Sequence, residues 1–202
     1  MHGAGVVAAA VVGYLLGSVP SADLAGRFAI RGGIDLRVAG SGNPGATNAA
    51  KVLGARWGAA VLVVDVAKGV AAGFAGRALG GDGGAYLAAT AVIAGHILPL
   101  WSRFRGGKGV ATSAGAVLAV FPAYFPIFIA LAAGTAIATR DAETVARVSG
   151  VAWIIAAVVW STASLPNGWG PEPTFALVAF SVAATALILV KFALARREPQ
   201  PA

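Results

Sequence analysis

Long apolar runs alternate with short polar segments along this chain, and that alternation predicts a bundle of membrane-spanning helices. A spanning helix needs about 20 mostly apolar residues. Suitable runs occupy residues 4–24, 57–76, 84–101, 110–139, 148–163 and 175–192. The fourth run carries Pro122 and Pro126 near its middle. Proline removes a backbone donor and clashes with the preceding turn, so this run predicts two short helices meeting near 121–126. The pattern therefore predicts seven spans in an all-α, polytopic integral membrane protein.

Composition agrees with the pattern. Of the 202 residues, 58% are hydrophobic and only 11% charged, against about 25% charged in a soluble domain. The length suits one bundle, so residues 1–202 are expected to form a single transmembrane domain. The first apolar run has no basic residue ahead of it, which predicts a retained span rather than a cleaved leader. Gly13 and Gly17, and Gly69 and Gly73, are small residues four apart that let helices approach closely. Trp153, Trp160 and Trp169 are expected to anchor at the membrane interface.

Charge sets an orientation. If the amino terminus lies outside, thirteen of the basic residues fall on inside segments: Arg27, Arg31, Arg37, Lys51, Arg56, Arg103, Arg105, Lys108, Arg140, Arg147, Lys191, Arg196 and Arg197. Only Arg77 is then outside, with Lys68 inside a span. Basic residues favour the cytoplasmic side, so a cytoplasmic carboxyl terminus is expected. The net charge of +7 points to anionic lipid or an anionic substrate. No basic patch interleaved with aromatics appears, which argues against nucleic acid. Cysteine is absent, which excludes disulfides and thiolate chemistry, and two histidines are too few for a histidine-rich metal site.

Two polar loops break the apolar pattern, and both fall on the expected cytoplasmic face. The first is GSGNPGATNAAK, residues 40–51. Its Ser41, Asn43, Thr47 and Asn48 offer donors and acceptors, and Gly40, Gly42 and Gly45 permit unusual backbone angles. A capped helix start is the plainer reading of the same residues. The second loop is FRGGKGVAT, residues 104–112. Consecutive glycines at a helix start can turn backbone N–H groups toward one anion, and Lys108 adds a full charge. A nucleotide-binding P-loop is excluded, because Ser102 stands where its first glycine belongs and Gly109 follows Lys108. Asp65 and Lys68, three apart inside a span, read as a structural pair. His96 reads as a buried hydrogen-bonding residue.

The stretches YLLGSVPSADL, GSGNPGATN, DVAKG, GHILP and FRGGKGVATSAG resemble, in that order and spacing, the bacterial acyl-phosphate-dependent glycerol-3-phosphate acyltransferases. The resemblance covers roughly residues 10–120. It implies a bacterial plasma-membrane enzyme that moves a fatty acyl group from acyl phosphate to the 1-hydroxyl of glycerol 3-phosphate. The products would be lysophosphatidic acid and phosphate. It also implies other phospholipid-synthesis enzymes as neighbours.

Carried over, Ser41 matches the family's essential loop serine, and Gly42, Asn43 and Asn48 its neighbours. Gly106, Gly107 and Lys108 match the loop that holds the substrate phosphate. Lys51 stands where the family has arginine, keeping the charge but losing the bidentate fork. Arg140 is retained ahead of the sixth span. Phe192 and Ala195 stand where the family's last helix carries histidine and asparagine. The expected catalytic set is thus Ser41, Asn43, Lys51 and Lys108. The expected substrate-binding set is Gly40, Gly42, Asn48, Gly106, Gly107, Gly109, Thr112 and Arg140, supported by Asp65, Lys68 and His96.

Acyl phosphate is already activated, so the expected mechanism is positioning. Lys51, Lys108 and glycine amides would hold two phosphates while Ser41 and Asn43 orient the hydroxyl. An oxygen of the acyl phosphate itself would take the proton; a covalent acyl-Ser41 is the alternative. Neither route calls for a metal, nucleotide or other cofactor. Two other readings stay open at this point: a weak or inactive relative that binds such phosphates, and a small transporter of a phosphorylated solute. Transporters often carry repeated halves, and neither GSGN nor GGKG recurs in this chain.

Overall fold

A computed structural model describes residues 2–30 and 33–196. Arg31 and Arg197, both counted above as inside charges, lie outside the described residues. The helices are α1 (His2–Gly17), α2 (Ser21–Ala29), α3 (Ala46–Leu53), α4 (Ala55–Ile97), α5 (Val110–Val120), α6 (Phe125–Thr139), α7 (Ala142–Thr162) and α8 (Phe175–Ala195). A short 3-10 turn, Leu100–Ser102, follows α4. No strand occurs among the described residues.

Glycine and proline set the breaks. Within α4 the backbone leaves helical geometry at Gly80 and at Gly81, whose φ is 64°. Glycine tolerates that left-handed angle because it has no Cβ. The α4 helix is therefore two helices, 55–79 and 82–97, joined at a sharp turn. Pro122 and Pro126 bound the start of α6 as expected, with a proline in its first turn. The first run ends sooner than its apolarity predicts: α1 stops at Gly17, and α2 restarts after Pro20. α7 starts at Ala142, ahead of its apolar run, because the Asp141 carboxylate accepts from the Thr144 N–H at 2.8 Å. Four segments among the described residues are long and apolar enough to cross a membrane: Gly3–Ala29, Ala55–Ser102, Ala142–Thr162 and Phe175–Ala195. α5 and α6 are apolar but shorter.

Small residues hold the first half together. Gly13 and Gly17 of α1 lie against the backbone of Ala88 and Val92, where an added methyl would overlap. Gly69 and Gly73 meet α5 in the same way, at Thr112 and Ala119. Without a hydrophobic drive between helices in lipid, such close approach supplies the van der Waals packing. The second half uses aromatics. Trp153 is buried in the core, edge-on to Phe180 at 5.0 Å and to Phe128 at 6.3 Å. That corrects its expected role as an interface anchor: its turn of α7 faces α6 and α8 rather than lipid. Trp169 is exposed, and its indole N–H donates to the Leu118 carbonyl.

Candidate functional site

Asn48 organises the first polar loop. Its amide nitrogen donates to the carbonyls of Leu36 at 3.0 Å and Ala39 at 2.9 Å. Its amide oxygen accepts from the Ser41 N–H at 2.9 Å. The side chain is buried, so one residue of α3 fixes the loop that presents Ser41. Gly40 adopts φ 59°, and a methyl there would run into the Asn48 amide. Asn48 and Gly40 therefore shape the loop that presents Ser41.

The second loop leans on the end of α4. The Gly106 N–H donates to Ile97 O at 3.1 Å, and a methyl on Gly106 would collide with the His96 carbonyl oxygen. Gly107 lies between the His96 ring and the Pro44 carbonyl, so the two loops meet there. Gly109, at φ 84°, turns the chain into α5.

Arg37, three residues ahead of the first loop, ties the second loop to α2. Its guanidinium donates to Asp23 at 2.6 and 3.2 Å, to Asp35 at 3.0 Å and to the Arg105 carbonyl at 2.6 Å. Asp23 also accepts from the Ser102 hydroxyl at 2.6 Å. Burial opposes the charge of Arg37, but Asp23 and Asp35 outweigh it and push its pKa up.

A charged network lies buried beneath the loops. Lys68 Nζ is 2.9 Å from Asp65 and 2.8 Å from His96 Nδ1. It also donates to Val19 O at 3.4 Å, while the Ser21 hydroxyl donates to Asp65 at 2.7 Å. A lysine ammonium has only donors, so His96 Nδ1 accepts and the ring proton sits on Nε2, the nitrogen facing Gly107.

A cavity of about 340 Å³ opens above these supports. The first loop lines it with Ser41, Gly42, Asn43 and Pro44, and the second with Gly106 and Lys108. Asp141 and Glu143 come from the start of α7; Lys191, Phe192, Ala195 and Arg196 come from the end of α8. Arg37 completes the wall. Arg196 pairs with Glu143 at 3.0 Å, and Arg147 contacts the same carboxylate. Burial pushes the Lys108 pKa down, against the opposing pull of Glu143 and Asp141. Among the described residues no group of three or more His, Asp or Glu side chains could hold a metal ion.

The family model described as glycerol-3-phosphate acyltransferase matches residues 7–197. This chain belongs to the glycerol-3-phosphate acyltransferase family. The enzyme of that name from Thermoanaerobacter pseudethanolicus is 36% identical over 160 residues, 79% of this chain and 80% of the relative. The crystal structure of the integral membrane acyltransferase PlsY (YgiH) in its glycerol 3-phosphate form superimposes with a TM-score of 0.76 at 28% identity. It covers 96% of this chain and 94% of that one. The lysophosphatidic acid form of PlsY gives 0.74.

The structure thus brings together Ser41, Gly42, Asn43, Gly106 and Lys108 of this family member, drawn from distant stretches of sequence. Others stand apart. Thr112 is fully buried in the bundle, and among the described residues its hydroxyl has no partner. Lys51, Gly107, Gly109 and Arg140 do not line the cavity. Gly107 instead lines a smaller space of about 20 Å³ shared with His96, Lys68 and Arg37. Arg37, Asp141, Glu143, Lys191 and Arg196 also reach the site, although the sequence pattern marks them only as topology or not at all. Two of the eight carboxylates, Asp23 and Asp35, precede Arg37 by 14 and 2 residues, and Asp35 beside it is the signal that could have found it.

Proposed function

We propose that this chain transfers a fatty acyl group from acyl phosphate to the 1-hydroxyl of glycerol 3-phosphate, releasing lysophosphatidic acid and phosphate. The observation that carries the reading is the one cavity shared by Ser41, Asn43 and Lys108. The PlsY structures with glycerol 3-phosphate and lysophosphatidic acid match this chain over nearly its whole length, which supports the acceptor and the product. Lys108, set on the bend that Gly106 and Gly107 make, holds the acceptor phosphate, and Arg37 and Lys191 add positive charge at the wall. Ser41 and Asn43 orient the hydroxyl on the acyl carbon. Such positioning can supply about 7–11 kcal/mol of the barrier. The hydroxyl oxygen attacks the acyl carbon and the carbon–phosphate oxygen bond breaks. The hydroxyl proton passes to the departing phosphate, so no protein base is needed. The donor is tested by offering palmitoyl phosphate and palmitoyl thioesters side by side; turnover with the thioester alone would overturn the donor assignment.

The lowered pKa of Lys108 carries a direction. Its charge is lost at a lower pH than that of a free lysine, so the KM for glycerol 3-phosphate is expected to rise at alkaline pH.

The same reading makes residues 1–202 one domain with seven spans: α1, the two halves of α4, α5, α6, α7 and α8. It places the cavity on the cytoplasmic side of the bacterial plasma membrane, with the amino terminus outside. Because the chain has no cysteine, single cysteines can be labelled cleanly. Arg56→Cys and Arg103→Cys, both exposed and both on segments this reading makes cytoplasmic, are expected to resist a membrane-impermeant thiol reagent on intact cells. Glu172→Cys is expected to react. Labelling of the first two from outside would contradict the orientation.

The glycines give a graded expectation. A methyl on Gly106 meets the backbone oxygens of His96 and Ile97, which cannot swing away, whereas on Gly107 it meets mainly the His96 ring. Gly106→Ala is therefore expected to raise the KM for glycerol 3-phosphate more than Gly107→Ala does, and steady-state kinetics on the purified variants will rank them.

A further inference from the structure

Lys108 makes no hydrogen bond or ion pair among the described residues, yet its ammonium has a defined neighbour: it lies 4.3 Å from the centroid of the Phe192 ring. Phe192 is 3% exposed and belongs to the hydrophobic core, so it presents a fixed ring at the cavity wall. The carboxylates nearby are engaged elsewhere. Glu143 is held by Arg147 and Arg196, and Asp141 caps α7 through Thr144.

We propose that Phe192 is the positioning residue for Lys108, its ring face holding the ammonium in the cavity without engaging it in a conventional hydrogen bond or cancelling its charge, which stays available to a phosphate. A carboxylate in the same place would hold the ammonium too, but would occupy donors and cancel the charge the phosphate needs. A hydrogen-bonding side chain would take at least one donor. The ring attracts the cation through its quadrupole, and so fixes its place without either loss. The role rests on the acyltransferase reading for its substrate, but the cation–ring contact itself does not.

The test replaces Phe192 with mono-, di- and trifluorophenylalanine, which keep the ring's shape while draining the negative charge from its face. Affinity for glycerol 3-phosphate, measured by calorimetry on the full-length protein in lipid nanodiscs, is expected to fall stepwise. The total loss should be about 2- to 30-fold. The thermal midpoint should stay constant across the series. Phe192→Trp should bind as well as the parent, Phe192→Leu should bind as weakly as the trifluoro form, and the fluorine effect should vanish in a Lys108→Met background. Equal affinity across the series, or a loss that persists without Lys108, would overturn the proposal. Glycerol 3-phosphate binding without lysophosphatidic acid formation would instead overturn the acyltransferase reading and leave the fluorine series to decide the role of Phe192. Absence of both binding and turnover would overturn both.

Discussion

Lys108→Ala is expected to lower kcat/KM for glycerol 3-phosphate by about 100- to 1000-fold, the range for removing one preorganised group at developing charge. Several cations reach the cavity, but they are not equivalent. Arg37 spends its donors on Asp23, Asp35 and Arg105, and Arg196 is paired with Glu143. Lys108 is the one on the glycine loop, and among the described residues it carries no partner that competes with a phosphate oxygen. On the proposed reading both substrates bring a phosphate, so the lysine would bind the acceptor and offset repulsion as the two approach. The variant should still fold, because the side chain is only half-buried. Steady-state kinetics beside a thermal unfolding scan separate the two effects; less than a threefold loss of kcat/KM would remove Lys108 from the site.

The second large effect concerns stability. Asp65→Ala or Lys68→Ala alone is expected to cost about 3–5 kcal/mol, because each leaves its partner as a lone charge inside the bundle. At this chain length about 1 kcal/mol shifts a midpoint by roughly 2–4 °C, so a drop of about 6–20 °C is expected. The side chains are 2% and 5% exposed, which denies either survivor a path to water. Removing both charges as Asp65→Leu with Lys68→Met should cost less than the sum of the single changes, because no unpaired ion remains. Additive losses would mean that the two residues do not act as a pair. Since Ser21 bonds to Asp65, and His96 lies between Lys68 and Gly107, the single variants should also weaken the phosphate loop.

Much of the fold could be read from the chain because its breaks are local chemistry. Pro122 and Pro126 interrupt the fourth apolar run, and the paired glycines at 80–81 bend α4 where the apolar pattern lapses. The end of α1 was harder, since apolar residues such as Ala22, Leu24 and Ala25 resume soon after Pro20 and extend the run. Trp153 misled because an indole suits the interface and the core equally well, and only its neighbours Phe128 and Phe180 decide between them.

The site was legible where a residue type has few other uses. A lysine after two glycines at a helix start, and a serine in a glycine-rich loop, pointed to the same cavity. Asn48 was not separable in this way: an amide that shapes a loop and one that binds a hydroxyl look alike in sequence. The contributions of α7 and α8 depend on helix ends that meet only in the folded bundle.

The measurement closest to the central claim is product formation by the purified protein in lipid nanodiscs. With palmitoyl phosphate and radiolabelled glycerol 3-phosphate, the account predicts lysophosphatidic acid and free phosphate in one-to-one ratio, and turnover falling to background in Ser41→Ala. No lysophosphatidic acid from the unaltered protein, or equal turnover from Ser41→Ala, would contradict it.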